Sequence, residues 1–165
     1  MAGLEDLYRE IIIDHYRSPR NRGELDTPPA TRTEGFNPLC GDEIVVYLQL
    51  GEGTGDERVI EDIRIGGQGC SISQSSASMM SMSVKGKTIA EARDIMRSFK
   101  AMMSIHESSL DDSVEDAEGQ DDLEVDEMKL GELEAMRGVV KFPVRIKCAT
   151  LSWNTLDQGI SEALA

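Results

Sequence analysis

The chain has 165 residues, with 17 Lys and Arg against 31 Asp and Glu and a net charge of -14. That length suits one domain spanning residues 1–165 around a single core, and the acidity argues against nucleic acid as a partner, which would need clustered Lys and Arg. No stretch approaches the roughly 20 apolar residues of a membrane span, and Met1-Ala2-Gly3-Leu4-Glu5-Asp6 lacks the basic start and apolar run of a secretory signal, so a soluble cytoplasmic protein is expected.

Leu4, Leu7, Tyr8, Ile11, Ile12 and Tyr16 recur at spacings of three and four, which predicts an amphipathic helix that stops before Pro19. His15, near its end, is expected to cap or pack and not to bind metal. Residues 17–30, rich in Arg, Pro, Asn and Gly, read as an irregular connection, followed by a strand around Ala30 to Gly35. Ile44 to Leu50 and Val59 to Ile65 are rich in β-formers and flank Gly51-Glu52-Gly53-Thr54-Gly55-Asp56, which predicts a hairpin with a long tip.

After Gly69-Cys70, a Ser, Ala and Met-rich helix is expected through Val84, with Gly86 as its stop. Cys70 then sits at a helix N-terminus, where the macrodipole favours thiolate over thiol. Thr88-Ile89-Ala90-Glu91 has the form of a capping box opening a further helix, with Ile89, Ala92, Ile95, Met96, Phe99, Met102 and Met103 on its apolar face. Most of the nine methionines fall in helical segments and read as core filler.

Residues 107–127 hold eleven acids and no Lys or Arg, supplying 11 of the 14 net negative charges and leaving about -3 for the rest. Such a run cannot bury enough apolar surface to fold alone, which predicts a solvated, flexible acidic insertion at about 105–128. Leu130 to Val139 reads as a short helix or turn. Arg145 to Leu164 reads as a closing helix carrying Cys148, Leu151, Trp153, Leu156 and Ile160. The order of elements predicts an α+β domain, a small antiparallel sheet of about three strands covered on one face by helices.

Cys40, Cys70 and Cys148 are the only cysteines. A buried free cysteine is often just a small apolar residue. Here the contexts favour chemistry: Gly41 and Gly69 flank two of the three, and Asp42 can project a carboxylate into the space of Cys40. Outside an oxidising compartment such a cluster is metal-binding or reactive in preference to disulfide-bonded. Three thiols and one carboxylate make four donors, the number zinc takes tetrahedrally. Cys40 and Asp42 are expected on the loop entering a strand, Cys70 at a strand-to-helix junction and Cys148 at the start of the last helix, so that three element ends meet.

Four strings in order carry a family resemblance: Leu7 to Gly23, with Ile13-Asp14-His15-Tyr16-Arg17-Ser18-Pro19-Arg20-Asn21 at its centre; Asn37-Pro38-Leu39-Cys40-Gly41-Asp42; Gly67-Gln68-Gly69-Cys70-Ser71-Ile72-Ser73; and Lys141-Phe142-Pro143-Val144-Arg145-Ile146-Lys147-Cys148. Over nearly its whole length the chain resembles the SufU branch of the IscU/NifU N-terminal superfamily of iron-sulfur cluster assembly proteins. It departs from the IscU scaffold in carrying Lys147 where a His precedes the third cysteine, and Lys141-Phe142-Pro143-Val144-Arg145 where a chaperone motif stands. The segment between Cys70 and Cys148 is also longer and more acidic than that resemblance would suggest.

The resemblance implies zinc on Cys40, Asp42, Cys70 and Cys148, and a SufS-type, pyridoxal-phosphate cysteine desulfurase as partner. In that picture Cys40 is the acceptor of persulfide sulfur, a sulfurtransferase-type activity. A zinc-bound thiolate is a damped nucleophile, so one ligand has to be released, and Cys40 on its Gly-flanked loop is best placed for that. Lys147 would add positive charge nearby. Two alternatives use the same ligands: a scaffold on which a transient iron-sulfur cluster is built, and a docking protein whose zinc is structural.

Overall fold

The computed structural model describes residues 4–38, 40–110 and 131–164, the side chains of residues 4, 5, 104–110 and 140 excepted. Most of the acidic run, and so the predicted insertion, lies outside the described residues.

Helix α1, Leu4–Arg17, forms on the predicted period and ends where Ser18 N–H bonds to Asp14 O at 2.8 Å, just before Pro19. Its Tyr8, Ile11 and Ile12 pack against the core, while Leu7, Ile13 and Tyr16 remain exposed. The connection that follows returns to the sheet, where Arg22 bridges Ile65.

Strands β1 (Thr31–Asn37), β2 (Asp42–Leu50) and β3 (Ile60–Gln68) form one antiparallel sheet in that order. The β1–β2 register pairs Asn37 with Asp42, so a tight turn holding Cys40 closes this end of the sheet. Each strand runs further toward this end than its β-rich core suggests. Asp42 is therefore the first residue of β2 and not part of a loop, because Asn37 gives it a strand partner.

Alternation puts Ile44, Val46 and Leu48 of β2 on the same face as Ile63 and Ile65 of β3, all buried. Helices α2 (Ser71–Val84), α3 (Ile89–Leu110) and α4 (Pro143–Leu164) supply the other half of the core. The capping box is present: Glu91 N–H donates to Thr88 Oγ1 at 3.1 Å, and Thr88 N–H to Glu91 Oε1 at 3.4 Å. Helix α3 continues to Leu110, so the chain is still helical where the acidic run begins.

Between α3 and α4 stands a 3-10 segment, Gly131–Lys141. With three residues per turn, side chains at i and i+3 eclipse. Leu133, Met136 and Val139, three apart, are accordingly all buried. Helix α4 begins two residues earlier than the pattern suggests, since Pro143 takes the first helical position, where its missing N–H is harmless.

Two contacts fix α4. A Cβ on Gly35 of β1 would strike the Thr155 and Leu151 side chains, so the bare glycine lets helix and strand approach. On its other side, Ser76 of α2 donates to Ala149 O at 2.6 Å. His15 ties the remaining layer: fully buried, it contacts Ser78 Oγ of α2 at 2.8 Å through Nδ1 and Glu132 of the 3-10 segment at 2.7 Å through Nε2. The packing role expected of it is the one it has.

Trp153 and Phe99 stack at 4.8 Å between centroids, both fully buried. Trp153→Ala should lower unfolding free energy by about 3–5 kcal/mol through the cavity it leaves. Thr88→Ala, losing an exposed cap, should cost about 1 kcal/mol. Urea titration of both variants checks the ranking, which reverses if the stack is peripheral to the core.

Candidate metal centre

Three element ends meet at the β1–β2 turn. Cys40 lies in that turn, half-buried, its N–H bonded to Asn37 O at 3.3 Å, with Gly41 in the left-handed region at φ +68. Asp42 follows at the head of β2 and is 1% exposed. Cys148 is the sixth residue of α4 and fully buried. The donor atoms of Cys40, Asp42 and Cys148 all lie within 4.8 Å of one another, and the two sulfurs are 3.2 Å apart.

Cys70 falls outside that trio but adjoins it, with its Sγ 3.9 Å from Asp42 Oδ2. It is the N-cap of α2, in extended backbone, and its sulfur accepts the Ser73 N–H at 3.4 Å. The predicted helix-terminal thiol is therefore present, with an amide hydrogen pointed at it. All three cysteines are free thiols.

Asp42 is held in place from two sides. Cys70 N–H donates to its Oδ1 at 2.9 Å, and Asn37 Nδ2 approaches its Oδ2 at 3.4 Å while also facing Cys148 Sγ at 3.6 Å. Gly69 makes room for this, because a Cβ there would sit 2.5 Å from Asp42 Oδ1.

Burial, then hydrogen bonding to Cys40 and Asp42, pushes the Cys148 thiol far above its ordinary value. Crowded sulfur and carboxylate resist becoming anionic together. The cation set against them is Arg145, whose guanidinium is raised by its hydrogen bond to Cys148 and by the nearby charges of Cys70 and Cys40. A soft divalent cation matches this donor set, since it supplies the positive charge that lets thiols bind as thiolates.

Asn37 and Arg145 carry no assigned role in the sequence reading. Both had a signal. Arg145 stands three residues before Cys148 on one helix, a spacing that shares a face, and Asn37 mirrors Asp42 across a tight turn. Lys147, expected to bring charge, is exposed on α4, and the charge that reaches the sulfurs is that of Arg145.

Fold and site together define an α+β protein that gathers three thiols and a carboxylate at the turn end of an antiparallel sheet. The chain belongs to the NifU-like N terminal domain family, which its residues 7–149 match. It is similar to the zinc-dependent sulfurtransferase SufU of Bacillus subtilis, at 42% identity over 98% of this chain and 94% of that protein. It is also similar to the iron-sulfur cluster assembly scaffold protein IscU of Streptococcus pyogenes, 37% identical over 99% of this chain and 88% of that one. Among solved structures, a SUF-system scaffold candidate from Fervidobacterium islandicum superimposes with a TM-score of 0.72 at 31% identity, over 96% of this chain and 99% of that one.

Gly69→Ala should displace the Asp42 carboxylate and weaken zinc binding by about 10–100-fold. Gly66→Ala is the control, as its nearest foreign atom would be Val45 Cβ at 3.8 Å. Competition with a chromophoric chelator measures both; equal affinities would mean that Asp42 is not held through Gly69.

Proposed function

We propose that this chain is a zinc-dependent sulfur-transfer protein of iron-sulfur cluster assembly, taking persulfide sulfur onto Cys40 from a SufS-type, pyridoxal-phosphate cysteine desulfurase. The observation that carries it is the gathering of Cys40, Asp42 and Cys148 within 4.8 Å, with Cys70 alongside, in a chain 42% identical to a sulfurtransferase named as zinc-dependent. Cys40, Asp42, Cys70 and Cys148 would hold the zinc. Bound there, zinc would keep the thiols in the thiolate form at neutral pH.

The step itself balances without a redox partner. A Cys40 thiolate attacks the outer sulfur of the donor persulfide, the donor's S–S bond breaks as the new one forms, and the donor leaves as its own thiolate. Cys40 ends as the persulfide. Arg145 lies where it can stabilise both the attacking and the product anion, being set against Cys40, Cys70 and Cys148. Asn37 steadies Asp42 and Cys148 while the turn residue reacts.

The position of Cys40 favours it as acceptor over the other two thiols. It is half-buried in a turn, whereas Cys148 is enclosed within α4 and Cys70 caps α2. A second reading, a scaffold for a transient iron-sulfur cluster on the same donors, is favoured by the likeness to the Streptococcus pyogenes scaffold protein. Metal analysis of protein purified in air separates the two: one zinc and no colour supports transfer, a brown chromophore supports the scaffold.

Incubation with a desulfurase and cysteine, followed by alkylation and mass spectrometry, should place the persulfide on Cys40, and Cys40→Ala should abolish stimulation of the desulfurase. Sulfur found only on Cys70 or Cys148 rules out Cys40. Cys148→Ser should lose zinc, while Asp42→Ala, removing the weakest donor, should retain it with faster exchange.

A further inference from the structure

Beside the cysteines, and outside the donor set itself, a groove of about 1130 Å³ runs between α1 and the stretch that joins the 3-10 segment to α4. Its floor is apolar, with Ile12 and Ile13 on one wall and Val139, Phe142 and Val144 on the other. Ile13, Phe142 and Val144 are 38%, 62% and 61% exposed, an unusual amount of bare apolar surface on one concave face. One end of the groove is Cys70; Cys40 does not line it.

The charges are the telling feature. Among the described residues the lining includes four cations, Arg9, Arg137, Lys141 and Arg145, and no Asp or Glu. The whole chain, by contrast, has 31 acids to 17 bases. A positive, apolar concavity on an acidic protein selects an occupant with carboxylates around apolar side chains. The volume exceeds the roughly 300–1,000 Å³ usual for small-molecule pockets, which favours a length of polypeptide. A second copy of this chain is disfavoured by its own charge of -14, and an anionic membrane by that charge and by the concave shape.

We propose that the groove between α1 and residues 137–145 binds an acidic peptide segment of a protein partner, anchored by aliphatic or aromatic side chains. The segment lies with its apolar anchors against Ile13, Phe142 and Val144 and its carboxylates toward the four cations. Its end abuts Cys70 and leaves the Cys40 turn open, so binding here and reaction at Cys40 can take place on one molecule at once. The proposal does not depend on the sulfur-transfer reading, because it concerns binding alone.

The test uses the full chain loaded with zinc and a random 12-residue phage-displayed peptide library, with selected peptides then titrated by fluorescence anisotropy. The expected binders combine Asp or Glu with Leu, Phe or Trp, and weaken with salt. Arg9→Glu and Ile13→Asp, both at exposed positions, should each weaken binding at least tenfold without changing zinc content. Lys87→Glu, an equal charge change outside the groove, should leave it unaltered. The proposal is overturned by binders without acidic enrichment, or by binders that survive either groove substitution. It is equally overturned if Ile13→Asp splits a dimer seen by light scattering, if phosphatidylserine vesicles bind the wild type but not Arg9→Glu, or if peptides bind only after residues 111–127 are deleted, which would make the chain's own acidic run the occupant.

Discussion

The Asp42 carboxylate is the tie on which this end of the molecule depends. It sits at the head of β2, almost without solvent, and accepts the N–H of Cys70. One hydrogen bond thus joins the start of a strand to the start of α2, 28 residues later. A buried carboxylate without partners would be costly, so the amide, Asn37 and the space left by Gly69 are all required for it to stay there. Given that tie, Cys40 and Cys70 have little freedom in their separation. Cys148 arrives independently, carried by a helix whose height is set by Gly35 beneath it and Ser76 beside it.

That arrangement gives three chemically unlike thiols. Cys70 has a helix N-terminus behind it and an amide hydrogen pointed at its sulfur, both of which favour the anion. Cys148 has burial and neighbouring acceptors, which oppose it. Cys40 is held by a turn and touches Cys148 at 3.2 Å. Arg145 faces all three from the first turns of α4, so the helix that brings the most reluctant thiol also brings the charge that relieves it.

Much of this was legible in the sequence, and the reasons are local. The capping box at Thr88, the period of α1 and the cysteine at the head of α2 each depend on residues a few positions apart, and each stands as expected. The three-stranded antiparallel sheet with its covering helices was legible for the same reason. What was not legible depends on distant partners. Asp42 reads as loop until Asn37 is known to pair with it. The start of α4 at Pro143 depends on how the 3-10 segment delivers the chain. His15 could be read as a packing residue, but its partners Ser78 and Glu132, 63 and 117 residues away, could not. Lys147 drew attention by standing next to Cys148 in the sequence, while helical geometry gives the contact to Arg145, three residues back.

The division of labour among the cysteines also bears on how a transfer protein can react without coming apart. Moving Cys70 would uncap α2, and moving Cys148 would disturb a helix packed on both the sheet and α2. Moving Cys40 disturbs a turn closed by one backbone hydrogen bond of 3.3 Å beside a left-handed glycine. The residue whose displacement costs the fold least is thus the half-exposed one, and its neighbours Asp42, Asn37 and Cys148 stay anchored to β2, β1 and α4 while it moves. A site meant only to hold a metal for stability would have reason to bury all its donors in regular structure. Leaving one donor on a turn at the rim is what a site needs if a sulfur atom has to reach it from outside.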